Sequence, residues 1–130
     1  MKQVMKMKKI IIVEDDERLR EELKILLENN GYEARILRTF DHAADALIEM
    51  DADLVLLDIM IPGINGQQVL KQLRAKSDVP VIMVTSKNNE VDEVLSMSYG
   101  ADDYITKPYN PTLLLLHIEA LFKRMNRQHT

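Results

Sequence analysis

Short apolar runs alternate along this chain with segments of helical period, and that alternation restricts the fold more than any other feature. Ile10, Ile11, Ile12 and Val13 form a β-branched run of buried-strand length. Asp16 then precedes a helical pattern of Leu19, Leu23, Leu26 and Leu27, which Asn30-Gly31 closes. Residues 32–37 make a weaker strand, and Ala43, Ala46, Leu47 and Met50 repeat at helical spacing behind Thr39. The same unit returns three more times. Leu54–Leu57 leads through a turn with Pro62, Gly63 and Gly66 to a helix carrying Val69, Leu70 and Leu73. Val81, Ile82, Met83 and Val84 lead to a helix carrying Val91, Val94 and Leu95 that ends near Gly100. Tyr104, Ile105 and Thr106 are a short last strand, and Asn110-Pro111 opens the final helix as N-cap and first-turn proline.

Five strands alternating with five helices predict an α/β fold: a five-stranded parallel sheet, doubly wound with helices on both faces, in the flavodoxin-like order 2-1-3-4-5. A chain of 130 residues holds one such domain. Residues 7–125 constitute it, residues 1–6 read as an upstream extension or cloning remnant, and residues 126–130 as the start of a linker or tail. With 17 Lys and Arg against 21 Asp and Glu, the net charge of −4 argues against nucleic acid bound by these residues. The absence of cysteine excludes disulfide frameworks, thiolate zinc sites and cysteine nucleophiles. No apolar run approaches membrane-span length and no signal peptide is visible, so the expectation is a cytoplasmic domain without membrane contact. His42 is expected on a helix surface and His129 in the tail.

In a sheet of this kind ligands bind beyond the carboxyl ends of the strands, beside the point where strand order reverses. Strand one ends into Glu14, Asp15 and Asp16, strand three at Asp58, strand four at Thr85-Ser86, and strand five runs into Lys107-Pro108. The fold therefore gathers carboxylates, a hydroxyl and an ammonium in one crevice. Crowded carboxylates repel, and all-oxygen donors suit Mg²⁺, which prefers to share its sphere with a phosphate. Two cations and a hydroxyl facing a carboxylate describe a site for a phosphoryl group held on or against an aspartate, with Asp58 the best candidate. Taken singly, Asp16 is a helix cap, Glu14 and Asp15 are loop acids, Asp58 is a turn residue, Lys107 is a surface lysine and Thr85 is a strand end. Jointly, those ordinary roles would require four strand ends to carry matched chemistry by accident.

These residues resemble the receiver domain of bacterial two-component response regulators, over residues 8–124. The carrying segments are Ile-Val-Glu-Asp-Asp at 12–16, Leu-Val-Leu-Leu-Asp-Ile-Met-Ile-Pro-Gly-Ile-Asn-Gly at 54–66, Val-Thr-Ser at 84–86 and Gly-Ala-Asp-Asp-Tyr-Ile-Thr-Lys-Pro-Tyr at 100–109. The resemblance implies that Asp58 is the phosphoacceptor for a phosphohistidine on a partner sensor kinase. It implies Mg²⁺, with Mn²⁺ as a substitute, held by Asp15, Asp58 and the backbone carbonyl of Met60, with Glu14 acting through metal-bound water. Thr85 and Lys107 would hold the phosphoryl oxygens, Tyr104 would be the aromatic switch that follows Thr85, and the Lys107-Pro108 peptide would be cis. Met60 and Lys87 would set the lifetime of the acyl phosphate, bulky Met60 by partly screening it from water.

The stretch at 100–108 is similar to the OmpR/PhoB-type subfamily, which implies phosphorylation-controlled dimerisation through the fourth helix, fifth strand and fifth helix. It also implies transcription regulation through a separate C-terminal DNA-binding domain, so DNA is a partner expected of the parent protein only. Asp102, Asp103 and Arg124 retain the subfamily's pattern, whereas Glu93, Leu113 and His117 replace expected partners, so several of its usual salt bridges cannot form. In the last helix Leu114, Ile118, Leu121 and Met125 suffice to pack on the sheet, while Leu113, Leu116 and Ala120 form a second stripe. That stripe is either buried or the face of a homodimer. No small-molecule turnover is expected. An aspartate-nucleophile phosphatase would want an acid where Met60 stands, and a flavodoxin-like cofactor carrier would want a phosphate-cradling loop where Glu14-Asp15-Asp16 stands.

Overall fold

The computed structural model describes residues 7–128, so the extension at 1–6 and His129 lie outside the described residues. Its elements are β1 (Lys9–Val13), α1 (Glu17–Asn29), β2 (Glu33–Ile36), α2 (Ala43–Glu49), β3 (Leu54–Leu57), β4 (Met60–Ile61) and β5 (Ile64–Asn65), followed by α3 (Gly66–Arg74), β6 (Val81–Thr85), α4 (Glu90–Ser98), β7 (Asp103–Thr106) and α5 (Pro111–Gln128). The main sheet is parallel in the order β2-β1-β3-β6-β7. With the small β4-β5 hairpin left out of the count, this is the expected 2-1-3-4-5 order.

Strand alternation divides the core into two layers. Ile11, Val13, Val55, Leu57 and Met83 face α2 and α3, where they meet Ala43, Leu47, Val69, Leu70 and Leu73. Ile10, Ile12, Leu54, Leu56, Ile82 and Val84 face the other way, onto Leu23 and Leu27 of α1 and Leu114, Ile118 and Leu121 of α5. Every residue of β3 is buried, as a strand covered on both faces must be. Each fully buried Leu or Ile contributes roughly 1.5–3 kcal/mol. That term fixes the seating of α1, α3 and α5.

It does not fix α4. The expected inward face of Val91, Val94 and Leu95 is exposed in all three residues, and the buried residue of α4 is Ser96. The periodicity was real but pointed outward. Three other local features differ from expectation. The Pro62-Gly63 turn closes a two-residue-per-strand hairpin, with Gly63 at φ +83°. The second helix starts at Ala43, with His42 exposed just ahead of it in left-handed backbone (φ 55°), so His42 is not on the helix surface and Thr39 is not its start. α5 continues through Gln128, so residues 126–128 extend the helix. Asp16 caps α1 by accepting from the Leu19 amide at 3.1 Å, and Asn110 caps α5 by accepting from Thr112 at 2.8 Å. Among the described residues, no helix is long and apolar enough to cross a membrane.

Candidate functional site

The backbone ladders aim the polar residues. The last bond between β1 and β3 runs from the Asp58 amide to the Val13 carbonyl (3.1 Å), so Glu14 and Asp58 leave neighbouring strands side by side. On the other side of β3, the Lys107 amide donates to the Thr85 carbonyl (2.8 Å), which sets Lys107 and Thr85 beyond the ends of β7 and β6. Chain order reverses between β1 and β3, and the crevice opens there.

Lys107 joins the two sides. Its ammonium donates to Glu14 Oε1 at 2.5 Å and to Asp58 Oδ2 at 2.7 Å. Both carboxylates are nearly dry, with side chains 5% exposed, while Asp15 beside them is open to solvent. The second oxygen of Asp58 accepts from the Met60 amide (3.0 Å), and the second oxygen of Glu14 accepts from the Asp16 amide (3.1 Å). Burial pushes the Glu14 carboxyl pKa up, against the opposing pull of the Lys107 and Asp16 hydrogen bonds. Burial also works against the Lys107 ammonium, but hydrogen bonds and charge from Asp58 and Glu14 outweigh it and hold its pKa above the ordinary lysine value. One lysine thus offsets two of three acids.

Carboxylate oxygens of Glu14, Asp15 and Asp58 lie within 4.8 Å of one another. Three hard oxygen donors at that separation, with Asp15 open to water, fit a divalent cation of the Mg²⁺ type. Thr85 is fully buried and its hydroxyl accepts from the Lys87 amide (3.3 Å), which leaves the hydroxyl proton to donate elsewhere. Met60 is 53% exposed and its sulfur lies 3.8 Å from the Ser86 hydroxyl. The Lys107-Pro108 peptide is cis, as the resemblance implied. A groove of about 750 Å³ reaches Lys107 from the α1 side, lined by Leu19, Ile25, Leu26, Pro108 and Tyr109 among others.

A family model described as the response regulator receiver domain matches residues 10–119. The chain belongs to that family. This receiver is 46% identical over 118 residues to the sensory transduction protein RegX3 of Mycobacterium tuberculosis, a match covering 91% of this chain and 52% of that protein. It is 43% identical over 116 residues to the DNA-binding response regulator MtrA of Mycobacterium leprae, covering 89% and 52%. The chain therefore spans about half the length of these relatives. Among solved structures, it is similar to a CheY-like receiver domain protein of Methanospirillum hungatei (TM-score 0.86, 34% identity, 95% and 99% of the two chains covered). It is also similar to the BeF3-activated N-terminal receiver domain of RstA from Klebsiella pneumoniae (TM-score 0.82, 32% identity, 87% and 97% covered). Receiver domains bind Mg²⁺ through an acidic pocket, and the Glu14, Asp15 and Asp58 cluster is the corresponding donor set here.

Away from the crevice, Tyr104 is half-buried and its hydroxyl donates to the Lys87 carbonyl at 2.5 Å, tying β7 to the loop after Thr85. Its phenol pKa is pushed up to about 12 by burial and by the charges of Asp92, Glu93 and Asp58. The residues expected to form a dimer face divide into two groups. Leu113 and Leu116 are 55% and 53% exposed, so the second stripe of α5 is not buried in this chain. Arg124 is exposed too. Asp102 and Asp103 have partners within the chain: Asp102 accepts from Arg74 (3.0 Å) and the Val81 amide (2.9 Å), and Asp103 pairs with His117 (2.6 Å). Arg74 itself also donates to the Gly100 and Val79 carbonyls, so it staples the far end of β6.

Sequence reasoning missed Gln67 and Arg74, and read Gly66 only as a turn residue. A glycine opening a helix just after a hairpin was the available signal for Gly66. A single polar side chain at an inward helical position, next to that glycine, was the signal for Gln67.

Proposed function

We propose that this receiver accepts a phosphoryl group on Asp58 from the phosphohistidine of a sensor kinase, in the cytoplasm and with Mg²⁺, and thereby controls transcription through a DNA-binding domain outside this chain. The observation that carries the reading is the Lys107 ammonium bonded at once to Asp58 and Glu14 in a dry crevice with Asp15 alongside. Asp58 is already an anion and needs no general base. A carboxylate oxygen forms the bond to phosphorus, the nitrogen–phosphorus bond breaks, and its electron pair and a proton end on the departing imidazole. What opposes the step is anion approaching anion. Lys107 answers that by exchanging a carboxylate oxygen for a phosphoryl oxygen, and the Thr85 hydroxyl supplies a further donor. Bound Mg²⁺, held by Asp15, Asp58 and the Met60 carbonyl and by Glu14 through water, would neutralise the remaining charge. The groove beside α1 ends at Lys107, so a kinase helix seated in it would bring its phosphohistidine to the crevice.

Incubation with acetyl phosphate and Mg²⁺, read by intact mass, should give one phosphate adduct on the wild type and none on Asp58→Asn. An equal adduct on both would remove Asp58 from this role.

Met60, two residues beyond Asp58, is exposed with its sulfur 3.8 Å from the Ser86 hydroxyl beyond Thr85, which supports the reading that it partly screens the acyl phosphate from water. Met60→Ala should shorten the lifetime of the adduct by about threefold or more, a barrier change of about 0.6 kcal/mol or more. An unchanged decay rate would count against screening by Met60.

Output follows from Thr85 and Tyr104 as the reading has them: Thr85 drawn to the phosphate, Tyr104 turning inward after it, and the α4-β7-α5 face remodelled. Exposed Val91, Val94 and Met97 of α4 and exposed Leu113 and Leu116 of α5 flank the β7 edge, which favours an OmpR/PhoB-type homodimer with more apolar contact than ion pairing. Asp103, His117 and Arg124 would lie on its polar rim, and Asp102 would act mainly as the partner of Arg74. Leu113→Glu should weaken dimerisation of the phosphorylated protein at least tenfold by sedimentation, about 1.4 kcal/mol or more. Dimerisation at wild-type strength would exclude Leu113 from the contact.

A further inference from the structure

In α4 the buried residue is the polar Ser96 while Val91, Val94, Leu95 and Met97 are exposed, and a polar contact takes the place of apolar seating. Gln67, 8% exposed at the start of α3, points its amide at α4. That amide donates to the Ser96 hydroxyl (3.1 Å), the Asp92 carbonyl (3.2 Å) and the Asp92 carboxylate (3.3 Å). Asp92 offers only acceptors, so the amide nitrogen must face it and the orientation of the side chain is determined. Ser96 is fully buried, and Gln67 is its partner across the helix interface.

Gln67 is also bound to the backbone that carries Asp58. Its own amide is capped by Asn65 Oδ1 (2.7 Å), and the Gly66 amide before it donates to the Ile59 carbonyl (2.7 Å). The Gly66 Cα packs directly over the Asp58 carbonyl, leaving no room for a Cβ. A shift of the Asp58–Ile59 backbone therefore shifts Gln67 and the bonds it makes to α4. At the other end, α4 is tied to the loop after Thr85 by Asn89, which accepts from the Asp92 amide (2.8 Å) and donates to the Asp92 carboxylate (2.7 Å). Asp92 is thus held by both the Thr85 loop and the Asp58 loop.

Resting on the reading of Asp58 as phosphoacceptor, we propose that Gln67 is a positioning residue: it pins α4 in its present setting and couples that setting to the Asp58 loop. While the pin is made, α4 keeps Ser96 in and Val91 and Val94 out. When it breaks, apolar burial favours a different seating of the helix. A phosphoryl analogue that prefers the second seating binds with an apparent affinity proportional to the population of that seating, so removing the pin should tighten its binding by the factor by which that population rises.

The test uses Gln67→Met, which keeps length and volume without the donors, and Ser96→Ala, which removes the acceptor from the opposite helix. Two readouts are taken: amide exchange across residues 90–100, and affinity for beryllofluoride with Mg²⁺. Each variant should exchange faster in α4 by about fivefold or more with β1 and β3 unchanged, and should bind beryllofluoride tighter by a similar factor, the lower end of ordinary coupling. The double variant should gain no more than either single one. Unchanged exchange in α4 would overturn the proposal, and so would faster exchange shared equally by β1 and β3 with affinity unchanged. If wild type and Asp58→Asn respond alike to beryllofluoride, it is the phosphoacceptor reading that fails, while exchange in α4 still decides whether Gln67 pins the helix.

Discussion

Lys107→Met should lower the unfolding free energy at neutral pH by about 3–5 kcal/mol, a loss typical of removing one partner from a buried ion pair. The reason is the burial of what remains. Glu14 and Asp58 have side chains only 5% exposed, and Lys107 is the cation bonded to both. Methionine keeps most of the packing of the lysine stem, so the loss measures charge rather than volume. Chemical unfolding without divalent cation should show the full deficit. Millimolar Mg²⁺ should raise the variant's stability more than the wild type's, because among the described residues Lys107 is the cation paired with Glu14 and Asp58 and its charge would be gone. Adding Asp58→Asn to Lys107→Met should return part of the loss, since one buried charge disappears. A wild-type unfolding midpoint for Lys107→Met would mean that the two carboxylates are not charged and paired as the geometry indicates. The same variant should be phosphorylated by acetyl phosphate at least a hundredfold more slowly, about 2.7 kcal/mol of lost charge stabilisation at the transition state.

Gly66→Ala is expected to be the most damaging alanine substitution among the four glycines. A Cβ at Gly66 would stand 1.9 Å from the Asp58 carbonyl oxygen and 2.8 Å from Asp58 C and Ile59 Cα. All three are backbone atoms of the loop that presents Asp58, so no side-chain rotation relieves the clash. Either α3 moves outward, or the loop moves into the crevice. The first loosens Val69, Leu70 and Leu73 in the core, and the second displaces the carboxylate from Lys107. Overpacking of this severity costs about 3 kcal/mol or more. Thermal unfolding should show it, and the phosphate adduct should fall in the folded fraction as well. By contrast, Gly31→Ala meets no atom within 4 Å and should lose only the cost of its positive φ. Equal stability losses at the two glycines would show that the Asp58–Gly66 approach is not what makes Gly66 necessary.

Much of the site was legible in the residues because strand-end chemistry is local. Glu14, Asp15, Asp58, Thr85 and Lys107 each stand at or just past the end of a short strand run, so recognising the runs located the residues, and the parallel order brought them to one end. α4 was not legible for the complementary reason. Its Val91, Val94 and Leu95 have the spacing of a buried stripe, yet periodicity states only that a face exists, not which way it points. The inward side of α4 meets Gln67, twenty-five residues from Asp92 and twenty-nine from Ser96, a pairing that no local pattern announces. The two readings of α5 were likewise undecidable from spacing: Leu114 and Ile118 are buried and Leu113 and Leu116 are not, because the sheet covers only one side of the helix.

The order of residues alone thus decides the alternation of elements, the two-sided sheet and the identity of the polar groups at its carboxyl edge. Those depend on hydrophobic period and on the rule that parallel strands end at one side. Tertiary structure decides which charges touch. Lys107 lies 93 residues from Glu14 in sequence and 49 from Asp58, and only the adjacency of β1, β3, β6 and β7 brings the three together. Contact energies at such separations depend on register and burial, and neither is written in a local pattern.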